Sequence, residues 1–236
     1  NYPKVKAIVD EARAEGNTLL VCAGGVLGGN PFVNQFSEPG FPMIDLMNQT
    51  GFDLAVLGNS DFNLGTQVLK DLIDQSEFPW ITANIDASNS VLDQPEPYLT
   101  LSVGAFDITF IGLIETNGKD DDIIPTTHPL RITDLTFQRH QDIIGDYADL
   151  KAQENADLLV GLTHLGLFSD RALASSAPFL DLIIGGDELE SVDENVNGIP
   201  IVHSGANLEV LGRIDLELEN QKVSRYSVSM IDLATV

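Results

Sequence analysis

The sequence is poor in cysteine, in basic residues and in long apolar runs. It contains one cysteine and 12 lysine and arginine residues against 36 aspartate and glutamate residues, a formal net charge of −24. Nucleic acids and anionic membranes bind basic surfaces, so this composition excludes both classes of partner. No apolar run reaches the roughly 20 residues that span a bilayer. The charge is typical of exported or salt-adapted proteins, and we expect a periplasmic or secreted location.

The composition nevertheless permits a large folded core. The chain has 236 residues, of which 43% are hydrophobic, and no linker-like, repetitive or low-complexity stretch divides it. Cys22 lies in an apolar run and is expected to behave as a small buried hydrophobe, so it says little about the redox compartment. We therefore predict a single domain over residues 1–236.

Helix and strand signals alternate along the chain. Helices are predicted from Pro3 to Gly16, over 41–51 and 67–75, and as one long mid-chain helix over 134–155. Strands are predicted over 18–23, 52–58, 80–85, 98–103, 108–114, 157–163 and 180–184. The last segment alternates apolar and polar residues over 199–202, 212–218 and 223–231, which indicates antiparallel strands. This order predicts a layered α/β domain with mixed sheets.

Four polar or glycine-rich stretches follow predicted strands. They read Cys22-Ala23-Gly24-Gly25, Gly58-Asn59-Ser60-Asp61-Phe62-Asn63, Thr163-His164-Leu165-Gly166 and Gly185-Gly186-Asp187-Glu188-Leu189. Ligand sites of open α/β sheets lie beyond the carboxyl ends of the strands. We therefore expect these stretches to meet, with Asn59, His164 and Asp187 in one cleft.

In this order the four stretches resemble the motifs of the 5'-nucleotidase family, within the calcineurin-like metallophosphoesterases. The family motifs read roughly Gly-Asp, Gly-Asn-His-Glu-Phe-Asp, His-x-Gly and Gly-His-Thr/Ser-His, and the segments 78–84 and 198–213 also look similar. The resemblance covers nearly the whole chain and implies a layered α/β/β/α sandwich. It further implies that the family's first strand, with an Asp-x-His motif, lies upstream of residue 1, and that no nucleotide-recognition domain follows residue 236.

The resemblance also implies that most of the family's chemical groups are replaced. Two-metal phosphoesterases need a carboxylate that bridges the cations, and Gly25 stands at that position. Ser60 stands where the family has a histidine near the leaving group, and a serine hydroxyl is not an acid near neutral pH. Asp187 and Leu189 replace the two histidines of the last motif.

The residues that remain predict at most one weakly held divalent metal ion. Asn59 and His164 match the family motifs outright, and Asp187 offers an oxygen ligand in place of an imidazole. Each residue also has a structural interpretation, as a turn cap for Asn59, a hydrogen-bonded strand end for His164 and a solvated loop residue for Asp187.

The leading hypothesis is a degenerate 5'-nucleotidase-like domain that acts as a non-catalytic binding or structural module, with no cofactor or one weak metal. Its partner would be another protein or a small phosphorylated ligand. The alternative is a metal-dependent phosphomonoesterase with a reduced or single-metal site. The sequence therefore favours a protein that is not an enzyme.

Three further features are interpreted as structural. The acidic stretches 119–122 and 187–194 lack the spacing of an EF-hand loop and are predicted to be solvated loops. The glycine-rich run 24–29 lacks the lysine of a nucleotide loop, so it predicts tight backbone packing. His128, His140 and His203 have no partner at ligand spacing, and we expect only His203 near the site.

The surplus of negative charge predicts a salt-dependent stability. Folding brings the 36 carboxylates closer together than in the unfolded chain, and salt screens their repulsion beyond about 10 Å at 0.1 M. The melting temperature should therefore rise by roughly 3 °C or more between low and moderate sodium chloride. Calcium and magnesium should act at lower concentrations, and melting curves in parallel series of the three salts check this. A flat sodium chloride series would contradict the prediction.

Overall fold

Two β-sheets pack face to face in this chain, with helices on their outer sides. The computed structural model describes residues 1–28 and 33–236. The α-helices are α1 Tyr2–Glu15, α2 Phe41–Thr50, α3 Thr66–Asp74, α4 His140–Ile143, α5 Leu150–Gln153 and α6 Leu167–Ser176. Short 3-10 helices cover Val33–Gln35, Asn59–Leu64, Pro129–Arg131 and Ile144–Tyr147. In the described part of the chain, no helix is long and apolar enough to cross a membrane.

The strands form one parallel sheet, one larger mixed sheet and two small pairs. They are β1 Val21–Cys22, β2 Leu54–Val56, β3 Trp80–Ile81, β4 Ile85–Asp86, β5 Tyr98–Val103, β6 Phe106–Ile114, β7 Thr136–Phe137, β8 Leu158–His164, β9 Leu182–Gly185, β10 Ser191–Val196, β11 Ile199–Ser204, β12 Val210–Glu219 and β13 Lys222–Asp232. The small sheet has the order β1-β2-β3, and the large one β10-β11-β9-β8-β6-β5. The pairs β12-β13 and β4-β7 are antiparallel.

The described residues form four apolar clusters, one of which lies beside α1, and the other three separate the layers. The first lies between the small sheet and helices α2 and α3, where Ile44 and Leu69 are fully buried. The second lies between the two sheets and includes Val56 and Val160. The third lies between the large sheet and α6, where Leu173 is fully buried. The sequence of layers is α/β/β/α, which confirms the predicted architecture of mixed α/β layers.

Local sequence explains where the helices of the first layer begin and end. Pro42 lies in the first turn of α2, where its missing N–H costs no hydrogen bond. Gly51 ends the helix with φ 82°, a left-handed conformation that favours glycine. Cys22 is buried in the adjoining core, and burial raises its thiol pKa to about 12. This confirms the prediction that Cys22 is a small buried hydrophobe.

Three sequence predictions of secondary structure are wrong. The mid-chain helix over 134–155 is instead strand β7 followed by α4, a 3-10 turn and α5, because β7 pairs with β4. The single strand over 80–85 is split between β3 and β4, which belong to different sheets. The acidic stretch 187–194 is not all loop, since its second half enters β10 and pairs with β11.

Asp61 fixes the two loops that follow β1 and β2. Its side chain is fully buried and accepts hydrogen bonds from the amides of Gly25 (3.0 Å), Val26 (2.8 Å), Leu27 (2.8 Å) and Gly58 (2.8 Å). Burial raises the pKa of Asp61 above its ordinary value, and the amide donors offset part of that rise. One carboxylate therefore sets the path of both loops.

We predict that Asp61→Asn lowers the free energy of unfolding by roughly 3 kcal/mol. The amide group replaces one acceptor oxygen with a donor, so buried N–H groups lose their partner. Urea unfolding of the two proteins measures the difference. The matched variant Asp86→Asn alters an exposed turn carboxylate and should change stability by no more than about 0.5 kcal/mol. Equal effects of the two substitutions would contradict the assigned role of Asp61.

Candidate functional site

Loops from the carboxyl ends of both sheets meet at one place. Gly25 follows β1 and Gly58 follows β2 in the small sheet, while His164 ends β8 and Gly186 follows β9 in the large sheet. A Cβ atom built on any of the three glycines would lie 2.7–2.8 Å from an atom of the His164 ring. The predicted meeting of four strand ends is thus present, and it joins two sheets instead of one.

His164 is the centre of this junction. Its ring is 6% exposed, and Nδ1 lies 2.6 Å from the carbonyl oxygen of Ala23. Because a carbonyl only accepts hydrogen bonds, Nδ1 carries the proton and donates it. The other nitrogen, Nε2, lies 3.7 Å from Oδ1 of Asp187. His164 and Asp187 are therefore together in the cleft, as expected from the sequence.

Gly25 leaves no room for a side chain. Its φ of +73° is a conformation that favours glycine, and an added Cβ would lie 2.7 Å from Cε1 and 3.1 Å from Nε2 of His164. Gly24 and Gly28 are also crowded. A Cβ added to Gly24 would collide with the backbone of Val56, and one added to Gly28 would collide with the backbone of Ser60. The prediction of tight backbone packing is confirmed for these glycines, whereas Gly29 lies outside the described residues.

The remaining predicted positions lie around this centre. Ser60 is beside Gly25, with its Oγ 3.5 Å from where a Cβ on that glycine would be. Asn59 starts the same 3-10 helix, and among the described residues no hydrogen bond joins its side chain to His164 or Asp187. Leu189 is 81% exposed at the surface. A metal-binding role for Asn59, His164 and Asp187 stays a prediction.

Asp187 lies in an acidic environment. Its side chain is 37% exposed, and its φ of 63° places it in a left-handed turn. Desolvation raises the pKa of Asp187, His164 opposes that rise, and the charges of Glu115, Glu188 and Asp170 add to it. The cleft therefore holds more negative than positive charge.

Sequence reasoning missed Glu115. It follows the last residue of β6, its amide donates to the His164 carbonyl at 2.9 Å, and it is 2% exposed. Its carboxylate accepts hydrogen bonds from the amides of Asn117 (2.6 Å) and Thr126 (2.5 Å). A polar residue directly after a buried strand was the available signal, the same one that identified the other strand ends. Glu115 holds the loop beside the cleft.

His203 has a partner that spacing along the sequence does not reveal. His203 is 1% exposed on β11, and its Nε2 lies 2.9 Å from Oδ2 of Asp170, which is fully buried on α6. The two other histidines have different positions. His128 is exposed and its Nδ1 accepts from the amide of Leu130, while His140 starts α4.

The residues present do not fit a two-metal centre. Within residues 1–28 and 33–236, no group of three or more His, Cys, Asp or Glu side chains could hold a metal ion. Gly25 supplies no ligand, and the space where a carboxylate would begin is taken by the His164 ring. Among the described residues at this junction, His164 and Asp187 bring two donor atoms within 3.7 Å of each other, fewer than the three or four protein ligands of ordinary zinc sites.

Comparison with known proteins places these observations in context. No protein-family model matches the sequence. The chain is 24% identical to the trifunctional nucleotide phosphoesterase protein YfkN of Bacillus subtilis over 270 residues, covering 97% of this chain and 18% of that protein. It is 27% identical to a 5'-nucleotidase of Vibrio parahaemolyticus over 259 residues, covering 94% of this chain and 44% of that protein. The chain thus spans less than half the length of these relatives.

A solved structure shares the fold. The sulfate thiohydrolase SoxB of Thermus thermophilus superimposes with a TM-score of 0.84 at 22% identity, over 98% of this chain and 43% of that one. That protein's name describes a sulfur substrate, so the fold by itself does not specify the reaction. The sequence relatives and the common fold support a metallophosphoesterase-type domain similar to those of 5'-nucleotidases.

Proposed function

We propose that this chain is a 5'-nucleotidase-like domain that has lost phosphatase chemistry and serves as a binding or structural module. The observation that carries the proposal is the position of His164. Its ring fills the space in which a carboxylate on residue 25 would begin, and its Nδ1 proton is committed to the Ala23 carbonyl. A bridging ligand and this packing of His164 exclude each other.

The other replaced positions support the same proposal. Ser60 provides a hydroxyl instead of an acid that could protonate a leaving group. Leu189, at the position of a family histidine, is apolar and 81% exposed. Asp61 is fully engaged with four backbone amides, so its carboxylate is not available as a base or ligand.

A second candidate function is a phosphomonoesterase with a reduced or single-metal site. The orientation of His164 favours it, because metal-binding histidines commonly donate their other ring N–H to a carbonyl, as Nδ1 does to Ala23 here. Nε2 then faces Asp187 at 3.7 Å. The names of the sequence relatives, a nucleotide phosphoesterase and a 5'-nucleotidase, are consistent with this alternative.

The negative charge of the cleft affects which kind of ligand it can bind. Glu188 and Glu115 lie close enough to act electrostatically on Asp187, and negatively charged carboxylates repel a bare phosphate group. A protein partner that presents positive groups therefore suits the cleft better than a small phosphorylated ligand without a cation. The net charge of −24 supports a periplasmic or secreted location for such a module.

We predict no metal-dependent hydrolysis of 5'-AMP or p-nitrophenyl phosphate above background. The reason is that Gly25 supplies no carboxylate and that Ser60 stands where the family has a histidine near the leaving group. Phosphate release is measured with manganese, zinc, cobalt and magnesium in turn. Metal binding is measured in parallel by isothermal titration calorimetry.

His164→Ala and the exposed-site variant His128→Ala serve as a matched pair for this assay. If the purified protein turns over substrate with manganese or zinc, and only His164→Ala abolishes it, the single-metal alternative is correct. Turnover that survives in both variants identifies a contaminating phosphatase and leaves the prediction intact.

We also predict that Gly25→Asp destabilises the protein and creates no metal site. The left-handed backbone and the contact with His164 should together cost roughly 2–4 kcal/mol. The double variant Gly25→Asp/His164→Ala should lose about 1 kcal/mol less unfolding free energy than the sum of the two single losses, because the ring that collides with the new side chain is absent. Urea unfolding of the four proteins in this cycle gives the coupling energy.

Gly145→Asp is the control for this cycle. Gly145 is exposed, and a Cβ there meets nothing within 4 Å, so its substitution should be nearly neutral. Strictly additive effects of Gly25→Asp and His164→Ala would contradict the claim that the ring occupies the carboxylate position.

A further inference from the structure

Three large apolar side chains are exposed on loops that follow strands of the large sheet. Phe168 is 87% exposed, Leu189 81% and Leu130 76%, and no other large hydrophobic side chain of residues 1–28 and 33–236 exceeds 59%. Single exposed hydrophobic residues are ordinary on protein surfaces. These three, however, lie in the loops that follow β8, β9 and β6, which are neighbouring strands.

Phe168 and Leu189 lie next to carboxylates of the cleft. The amide of Leu167 donates to Oε2 of Glu188 at 3.4 Å, which ties the start of α6 to the loop after β9. Each of the two apolar residues immediately follows one partner of this hydrogen bond, and Asp187 immediately precedes Glu188. Two exposed apolar side chains and two carboxylates are therefore held in adjoining loops.

Leu130 lies on the small-sheet side of the cleft. The loop that leads to it is bonded to the end of β6, where Glu115 accepts from the amide of Thr126 at 2.5 Å. The next residue, Thr127, donates from Oγ1 to Oδ1 of Asn63 at 2.9 Å, on the 3-10 helix after β2. Leu130 is three residues further along the chain. Exposed apolar side chains therefore lie on both sides of the acidic cleft.

The loops after β8 and β9 carry negative charge without a basic side chain of their own. Residues 164–170 and 185–191 contain aspartate and glutamate but no lysine or arginine. Arg171, which follows the first of these loops, is already paired with Glu194 at 2.6 Å. Asp187, whose side chain is 37% exposed, therefore presents its charge to the surface without a basic partner from these loops.

This combination of apolar and acidic groups selects the chemistry of the occupant. A phosphorylated or acidic partner is repelled by the carboxylates, and a purely apolar partner buries them without compensation. A second copy of this chain carries the same net charge of −24, which opposes self-association. An arginine meets both requirements, because its guanidinium pairs with carboxylates in a planar fork and also stacks on aromatic rings.

We propose that Phe168, Leu189 and Leu130 form a docking rim for an extended segment of another protein, in which an arginine lies between apolar residues. The guanidinium contacts Asp187 and Glu188, and the flanking apolar side chains pack on the rim. The inference rests on the proposed function, because a binding module needs such a surface, and it adds the chemical class of the partner.

Titration of the whole chain with short capped peptides, followed by amide chemical shifts in nuclear magnetic resonance spectra, tests the proposal. The peptides have the cores Leu-Arg-Leu, Leu-Glu-Leu and Ser-Arg-Ser. We expect saturable shifts of the Leu167 and Leu189 amides with the Leu-Arg-Leu peptide, and at least about tenfold weaker binding of the other two. Equal affinity for all the peptides, shifts confined to another surface, or no saturable binding would overturn the proposal.

Variants of the chain test the contribution of the rim. Phe168→Ser and Asp187→Asn should each weaken binding of the Leu-Arg-Leu peptide by about fivefold or more. Both change exposed side chains, and asparagine tolerates the left-handed turn at residue 187, so the fold is retained. Phe106→Ser, at the other end of β6 from Glu115, and Glu219→Gln, at the end of β12, are the matched controls and should bind as the unchanged chain does. Controls that weaken binding as much as the rim variants would overturn the proposal.

The phosphate-release assay separates this inference from the proposed function. If no peptide binds and no hydrolysis is found, the docking rim is wrong and the proposed function stands. If hydrolysis that depends on His164 is found, the proposed function is wrong, and the peptide titration alone decides whether the rim binds protein.

Discussion

The hydrogen bond between the His164 imidazole and the Ala23 carbonyl, at 2.6 Å, joins the two sheets at the edge where the four loops meet. It spans the interface between the last residue of β8 and the loop after β1, and it fixes which ring nitrogen carries the proton. A side chain on Gly25 would collide with this ring, and one on Gly58 would collide with both the ring and the backbone of Gly25. The arrangement of the cleft follows from this contact, and it leaves no room for a side chain on residue 25.

Buried carboxylates hold the backbone of the loops around the cleft. Buried Asp61 accepts hydrogen bonds from four backbone amides of two loops. Buried Glu115 accepts hydrogen bonds from two backbone amides of a third loop. These carboxylates set backbone paths, a function that requires no metal.

Sequence reasoning predicted the layers and the meeting of the strand ends, because a buried strand followed by a polar or glycine stop is a local signal. It failed over 134–155, where apolar residues at helical spacing belong to a strand that pairs with β4 through long-range contacts. It also missed the partner of His203, because Asp170 lies 33 residues earlier in the chain and only folding brings them together. The packing of the His164 ring against Gly25 likewise arises from tertiary structure. No spacing in the sequence encodes it.

The central claim is that the His164 ring occupies the space that a bridging ligand between two metals would need. A crystal structure of this chain soaked in manganese, with anomalous diffraction data, tests it most directly. The account predicts no pair of anomalous peaks between Gly25, His164 and Asp187, with Nδ1 of His164 still bonded to the Ala23 carbonyl. Two peaks a few ångströms apart at this position, with the ring displaced from Gly25, would contradict it.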